Sequence, residues 1–265
     1  MTTKRDTIYF ISDAHFGISI EGDENRDQQF CTLTDSIKND ASDLFILGDL
    51  FDFWIDYKHA IRPDYFLILH ELRKLVEAGI KVHYLAGNHD FALGPFLKET
   101  VGVAINYDTL DITLQGKKVH LFHGDGILKG DVGYRVLKRL LRNKFYQKMY
   151  KLLHPDIGVG FGVFCSGSSR KYTSKLLTPS LVEEYRSCAF KTIRDGGYDI
   201  VLYGHTHHGE IVYDGDTIYC NTGAWLLHRN YATLKAGELS LWQFSQDSHP
   251  KKVSPIDLKS GLSVS

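Results

Sequence analysis

The sequence has little of what would take it outside ordinary globular folding. Its four cysteines, Cys31, Cys165, Cys188 and Cys220, are far apart and form no C-x-x-C pair. That excludes a zinc knuckle and a disulfide framework, and it suits a reducing compartment. No apolar run approaches the ~18 residues of a membrane-spanning helix. The run after Lys4 and Arg5 stops at Ser12-Asp13, too early for a signal peptide. Cytoplasmic residence is the expectation, with attachment to a membrane surface left open. An excess of one charge is also missing: 31 Lys+Arg face 32 Asp+Glu, a net −1, which excludes a chain that coats nucleic acid nonspecifically. With 15 Phe, 15 Tyr and 3 Trp the chain is not disordered. Its 265 residues allow one large domain or a domain with an insertion. The residue in excess is histidine, at 13.

Short apolar runs alternate with helical stretches through the first half. Thr7–Ser12, Leu44–Gly48 and Lys81–Ala86 read as buried strands. Arg26–Asn39 and Pro63–Ala78 carry apolar residues at helical spacing, with Gly79 as a C-terminal cap. This order predicts parallel βαβ pairing. A second set of strands is predicted at Leu110–Leu114, Lys118–His123, Asp199–Gly204, Glu210–Tyr213, Thr217–Asn221 and Glu238–Phe244, with an Asp214-Gly215 hairpin turn. The expected fold is α/β (α+β), two sheets face to face with helices outside. Residues 1–126 and 180–247 make the core, 127–179 a helical insertion, and 248–265 a C-terminal tail.

Five of these strands finish in metal-ligand residues. They are Asp13-Ala14-His15, Gly48-Asp49-Leu50-Phe51-Asp52, Gly87-Asn88-His89-Asp90, His123-Gly124-Asp125 and Gly204-His205-Thr206-His207. The C-terminal ends of sheet strands are where α/β folds build sites. Asp13 and His15, like His205 and His207, point the same way if extended. Carboxylate mixed with imidazole suits manganese, iron(II) or zinc better than calcium. A carboxylate such as Asp49 can bridge two ions ~3.5–4 Å apart. One His or Asp at a strand end is more often an ordinary loop residue. Five clusters, each after a strand, argue against coincidence.

The order D-x-H, G-D-x-x-D, G-N-H-D, H-G-D, G-H-T-H resembles the calcineurin-like metallophosphoesterases. The resemblance implies a four-layer αββα sandwich around a dinuclear metal centre. It implies Asp13, His15, Asp49 and His207 around one metal, and Asp49, Asn88, His123 and His205 around the other. His89 is implied as the motif histidine that acts on the leaving oxygen, and Asp52 as the carboxylate that orients it. Asp90 and Asp125 read as structural acceptors of backbone N–H groups.

Ile127–Lys151 holds eight basic residues, Lys129, Arg135, Lys138, Arg139, Arg142, Lys144, Lys148 and Lys151, against Asp131 alone. Leu137, Leu140, Leu141, Phe145, Met149 and Leu152 recur at helical spacing, giving an amphipathic helix with a cationic face. An anionic membrane surface is the expected partner of that face. Ile157–Phe164 is apolar and glycine-rich, read as a flexible segment suited to an acyl chain. Gly48–Trp54, Gly87–Phe91, His123–Gly126 and Gly130-Asp131 followed by the basic stretch are similar to the UDP-2,3-diacylglucosamine pyrophosphatases of lipid A synthesis. That likeness implies a nucleotide-lipid substrate split to UMP and 2,3-diacylglucosamine 1-phosphate, two manganese ions, and peripheral attachment at the inner membrane. It implies substrate contacts from Asn88, His89, Asp131, Ser169, Arg170, Lys175 and His205. The best-known branch carries arginine at the position of His89 and glutamate at that of Asp52. The competing expectations are a phosphodiesterase for a soluble substrate and a non-catalytic scaffold of the same fold. A nucleic-acid partner is not expected, since the basic residues lie on an amphipathic helix rather than in an aromatic-lined groove.

Overall fold

The computed structural model describes residues 5–21, 23–173, 178–246 and 249–258, with no account of side chains 168–173. The strands are β1 Thr7–Ile11, β2 Ala41–Leu47, β3 Lys81–Leu85, β4 Ala104–Asn106, β5 Leu110–Leu114, β6 Lys117–Leu121, β7 Ile200–Tyr203, β8 Glu210–Asp214, β9 Thr217–Asn221, β10 Asn230–Lys235, β11 Glu238–Gln243, β12 Lys251–Lys252 and β13 Ile256–Asp257. The helices are α1 Arg26–Ile37, α2 Phe66–Glu77, α3 Val132–Leu141, α4 Lys144–Tyr150, α5 Pro155–Thr173, α6 Pro179–Gly196 and the short α7 Trp225–His228. One sheet runs β12-β11-β10-β1-β2-β3-β4 and the other β13-β8-β9-β7-β6-β5. β1, β2, β3 and β4 are parallel, as are β6, β7 and β9.

The strands read as continuous apolar runs because both faces of each sheet are covered. Ile8, Phe10, Phe45, Leu47 and Leu85 point inward against Val119, Leu121, Ile200, Leu202 and Cys220 of the second sheet. The residues that alternate with them, Ile11, Leu44, Ile46, Val82 and Tyr84, point outward to Phe30, Leu33 and Ile37 of α1 and to Ile68, Leu72 and Leu75 of α2. On the far side Val201, Tyr203 and Tyr219 receive Tyr185, Ala189, Phe190 and Ile193 of α6. The result is four layers, helix, sheet, sheet, helix, and each buried Leu, Ile or Phe contributes about 1.5–3 kcal/mol. The predicted helix from Pro63 begins as a three-residue 3-10 turn and becomes α2 at Phe66. Gly79 closes it in a left-handed conformation (φ 85), its N–H donating to Val76 O at 2.9 Å.

Several elements differ from the sequence expectation. β10, unpredicted, pairs antiparallel with β1 and is central to its sheet. The stretch read as a C-terminal tail adds an edge strand to each sheet, β12 beside β11 and β13 beside β8. The basic amphipathic helix is two helices, α3 and α4, separated at Asn143, whose side chain caps α4 by accepting from Phe145 N at 2.8 Å. The glycine-rich run Ile157–Phe164 is not a flexible segment but the middle of α5.

Candidate metal centre

All proposed ligands stand just past a strand's C-terminal end, on five strands of the two sheets. The local backbone is unusual there. Of the eight non-glycine residues with positive φ among those described, five are Asp13 (52), His15 (46), Asp49 (52), His205 (68) and His207 (61). Left-handed backbone at such residues costs about 1 kcal/mol or more and persists only where surroundings over-determine it. The expected extended D-x-H and H-x-H pairs are therefore replaced by tight left-handed turns. These turns bring Asp13 and His15 to one half of the site and divide His205 and His207, expected to point the same way, between the two halves.

The side chains converge in overlapping groups. Asp13, His15 and His207 offer ligand atoms within 4.8 Å of one another, as do Asp13, Asp49 and His123, and His15, Asp52 and His89. On one side His207 Nε2 lies 3.2 Å from Asp13 Oδ1 and 3.4 Å from His15 Nε2. On the other, Asn88 Oδ1 lies 2.9 Å from His123 Nε2 and 3.0 Å from His205 Nδ1. Asp49 Oδ2 sits between the halves, 3.9 Å from His15 Nε2 and 3.4 Å from His123 Nε2. The structure thus brings together all seven predicted ligands.

Protonation shows what the cluster lacks by itself. His123 Nδ1 donates to Leu47 O at 2.7 Å, which aims Nε2 into the site. Burial disfavours its charged form, but the Asp49 carboxylate overrides this and pushes the imidazole up to about 10. Burial likewise opposes ionised Asp49, yet His123 and His89 hold it well below the usual carboxylate range. Burial and then His123 push His205 down to about 4, and burial and His89 lower His15, so both are neutral imidazoles ready to donate a lone pair.

The residues fit divalent cations on three further observations. His15 Nδ1 is buried with no hydrogen-bond partner among the described residues. A Cβ on Gly87 would stand 2.1 Å from Asp49 Oδ1, and one on Gly48 2.4 Å from His123 Nδ1, so glycine makes room for the ligands. The donors themselves, carboxylate, imidazole and one amide oxygen, suit a borderline transition-metal ion.

Beside this cluster His89 is buried, its ring edge-on to His15 with centroids 4.7 Å apart. Asp52 does not hold it by a direct carboxylate bond, because Oδ1 is 3.9 Å from Nδ1. The Asp52 carbonyl oxygen accepts from Nδ1 at 2.9 Å, and Ser166 Oγ of α5 lies 2.8 Å from the same nitrogen. Sequence reasoning did not place Ser166 beside His89 and Asp52. The available signal was the four-residue spacing Gly158, Gly162, Ser166.

Asp90 accepts from Gly87 N at 2.7 Å and Leu50 N at 2.9 Å, joining two ligand turns. Asp125 takes side chains instead of the expected backbone N–H groups: Tyr134 Oη at 2.6 Å and Lys138 Nζ at 2.7 Å, both from α3. The uniform cationic face needs correction on this ground. Arg135 donates to Leu128 O at 2.6 Å and Arg142 pairs with Asp108 at 2.5 Å, so three of the eight basic residues anchor the insertion. Asp131 immediately precedes α3, near enough to Tyr185 for its charge to help burial raise that phenol. Ser169 and Arg170 fall on α5 where side chains are not described, and Lys175 lies outside the described residues.

A family profile for calcineurin-like phosphoesterases matches residues 7–209. The UDP-2,3-diacylglucosamine hydrolase of Porphyromonas gingivalis is 26% identical over 245 residues, covering 86% of this chain and 94% of that one. The enzyme of the same name from Haemophilus influenzae is 27% identical over 243 residues, covering 90% and 98%. That from Nitrosococcus oceani is 30% identical over 200 residues, covering 75% and 78%.

Proposed function

The chain belongs to the calcineurin-like phosphoesterases, and from that premise we propose that it hydrolyses UDP-2,3-diacylglucosamine to UMP and 2,3-diacylglucosamine 1-phosphate. The observation that carries the reading is the pair of ligand sets sharing Asp49, in a chain similar along most of its length to hydrolases of that name. Asp13, His15, Asp49 and His207 would hold one divalent cation, and Asp49, Asn88, His123 and His205 the other; manganese, the ion the family resemblance implies, is among those this mixed donor set suits. When bound, the two cations supply Lewis acidity and lower the pKa of water.

The chain's own residues supply the rest. His89 keeps its Nδ1 proton on the Asp52 carbonyl, so Nε2 is the atom that faces the reacting phosphate and serves the leaving oxygen. Asn88 and His205 are uncharged ligands, so they would not offset the cations' attraction for charge developing on phosphoryl oxygens. Residues 127–179 act as the lid. α3 and α4 bury no residue, and Val136, Leu137, Leu140, Phe145, Met149 and Leu152 are exposed. Such an uncovered apolar surface beside exposed Arg139, Lys144 and Lys148 suits acyl chains and an anionic bilayer. No helix among the described residues is long and apolar enough to cross a membrane; the attachment we propose, on the strength of that exposed surface, is peripheral, at the cytoplasmic face of the inner membrane.

The test is incubation of metal-stripped protein with UDP-2,3-diacylglucosamine, with and without added manganese. Manganese-dependent release of UMP and the monophosphate lipid is expected. Rapid turnover of bis-p-nitrophenyl phosphate with no lipid product would instead assign the chain to a soluble diester.

A further inference from the structure

The insertion reaches the reacting centre through Ser166. Its hydroxyl donates to Asp52 Oδ1 at 2.6 Å and lies 2.8 Å from His89 Nδ1. A carboxylate oxygen accepts, so the hydroxyl proton goes to Asp52 and the hydroxyl oxygen accepts from His89. The second partner of Nδ1, the Asp52 carbonyl, is also an acceptor. Both partners therefore require the proton on Nδ1 and leave Nε2 toward Asp49. The Asp52 carboxylate reaches the imidazole through Ser166, not directly.

Ser166 arrives there because one stripe of α5 carries almost no side chain. Gly158, Gly162 and Ser166 are four residues apart and share a helix face. A Cβ on Gly158 would stand 2.0 Å from Tyr57 Oη, and one on Gly162 2.4 Å from the Phe53 ring. An ordinary side chain at either position would hold the helix about 1 Å or more off this loop. Tyr150 Oη donates to Gly158 O at 2.6 Å and fastens the same contact from the insertion's side.

We propose that Ser166 is a positioning residue for His89, delivered by the insertion, so that docking of α5 on its Gly158–Gly162 face completes the orientation of the histidine. The proposal rests on His89 serving the leaving oxygen. It makes the element that covers substrate also the element that fixes the proton-carrying ring.

Manganese-reconstituted full chain is assayed with bis-p-nitrophenyl phosphate, a diester with no acyl chain to engage the lid. Ser166→Ala lowers kcat about 10-fold, the usual cost of losing an outer-shell partner, with KM and manganese content unchanged. Gly162→Ala, which does not touch His89, lowers kcat in the same direction. In a His89→Ala background Ser166→Ala has no further effect, since it acts through the ring. In metal-free protein the His89 Hδ1 resonance, assigned by its loss in His89→Ala, is protected in wild type and exchanges with water faster in both α5 variants. Wild-type kcat or an unchanged resonance in Ser166→Ala overturns the proposal, as do losses from Ser166 and His89 that multiply. If His89→Ala alone leaves turnover unchanged, the role given to His89 fails first and the proposal with it. A loss in His89→Ala with wild-type turnover in Ser166→Ala and Gly162→Ala overturns the proposal and leaves that role intact.

Discussion

Gly87→Ala isolates the space that the candidate metal ligands need. Gly87 does not lie in the left-handed region, so the substitution adds volume without backbone strain. The new Cβ would stand 2.1 Å from Asp49 Oδ1, 2.7 Å from Asp49 N and 2.8 Å from Asp49 Cγ. Rotating the carboxylate cannot relieve a clash with its own backbone nitrogen, so the whole Asp49 turn must retreat by about 1 Å to regain ordinary contact. A displacement of that size at a reacting centre costs about 10²-fold in rate, or about 2.7 kcal/mol. Because Asp49 faces both halves of the site, metal content of the manganese-loaded protein falls below two. Mass-spectrometric metal analysis and kcat/KM on the same sample give the two readouts. Gly133→Ala, on the exposed surface of α3 with nothing within 4 Å of its Cβ, is the control and leaves both unchanged. Full metal content with near-wild-type turnover in Gly87→Ala would refute the assignment of Asp49 as the shared ligand.

Asp49→Ala removes the carboxylate between His15 and His123; hydrolysis falls to background and metal analysis shows the loss. His89→Ala lowers kcat about 10²- to 10⁴-fold while metal content holds, as expected for a proton-transfer group that is not a ligand. Flotation with anionic vesicles captures the protein at low salt and releases it as ionic strength rises; Phe145→Ser and Leu152→Ser, both exposed, weaken capture, and salt-insensitive binding refutes the cationic contribution. Burial works against the Asp43 carboxylate, but His83, bonded to it at 3.0 Å, holds it below its usual range. A depressed pKa stabilises the fold above the unfolded value of about 3.9 and is lost as pH falls through the folded value. Asp43→Asn therefore flattens the dependence of Tm on pH below about 4, and a slope equal to wild type refutes the pairing.

The candidate ligands were legible because each belongs to a short motif that a strand end carries on its own. Asp13, Asp49, Asn88, His123 and His205 need no distant information to be recognised; their convergence follows from parallel strands delivering their C-terminal ends to one edge. The conformation of those turns was not legible. Asp and His occupy left-handed backbone only under tertiary constraint, so positive φ at five ligands is visible only in the assembled site. β10 was missed for a related reason: Asn230–Lys235 is weakly patterned, and its neighbour β1 lies at the other end of the chain.

The insertion shows where local reading fails in principle. Gly-Val-Gly-Phe-Gly has poor helix propensity, about 1 kcal/mol worse than alanine at each glycine, and by itself reads as a loop. Phe53 and Tyr57 reverse that reading, because their rings fill the volume that side chains at positions 158 and 162 would occupy. The glycines that weaken α5 as an isolated helix are thus the reason it packs closely enough for Ser166 to touch His89 and Asp52. The basic residues follow the same logic in reverse. Lys138 and Arg142 look like membrane-facing charge until Asp125 and Asp108, each remote in sequence, are seen to hold them. A charge or a glycine has a local propensity, but its role belongs to the surface it meets.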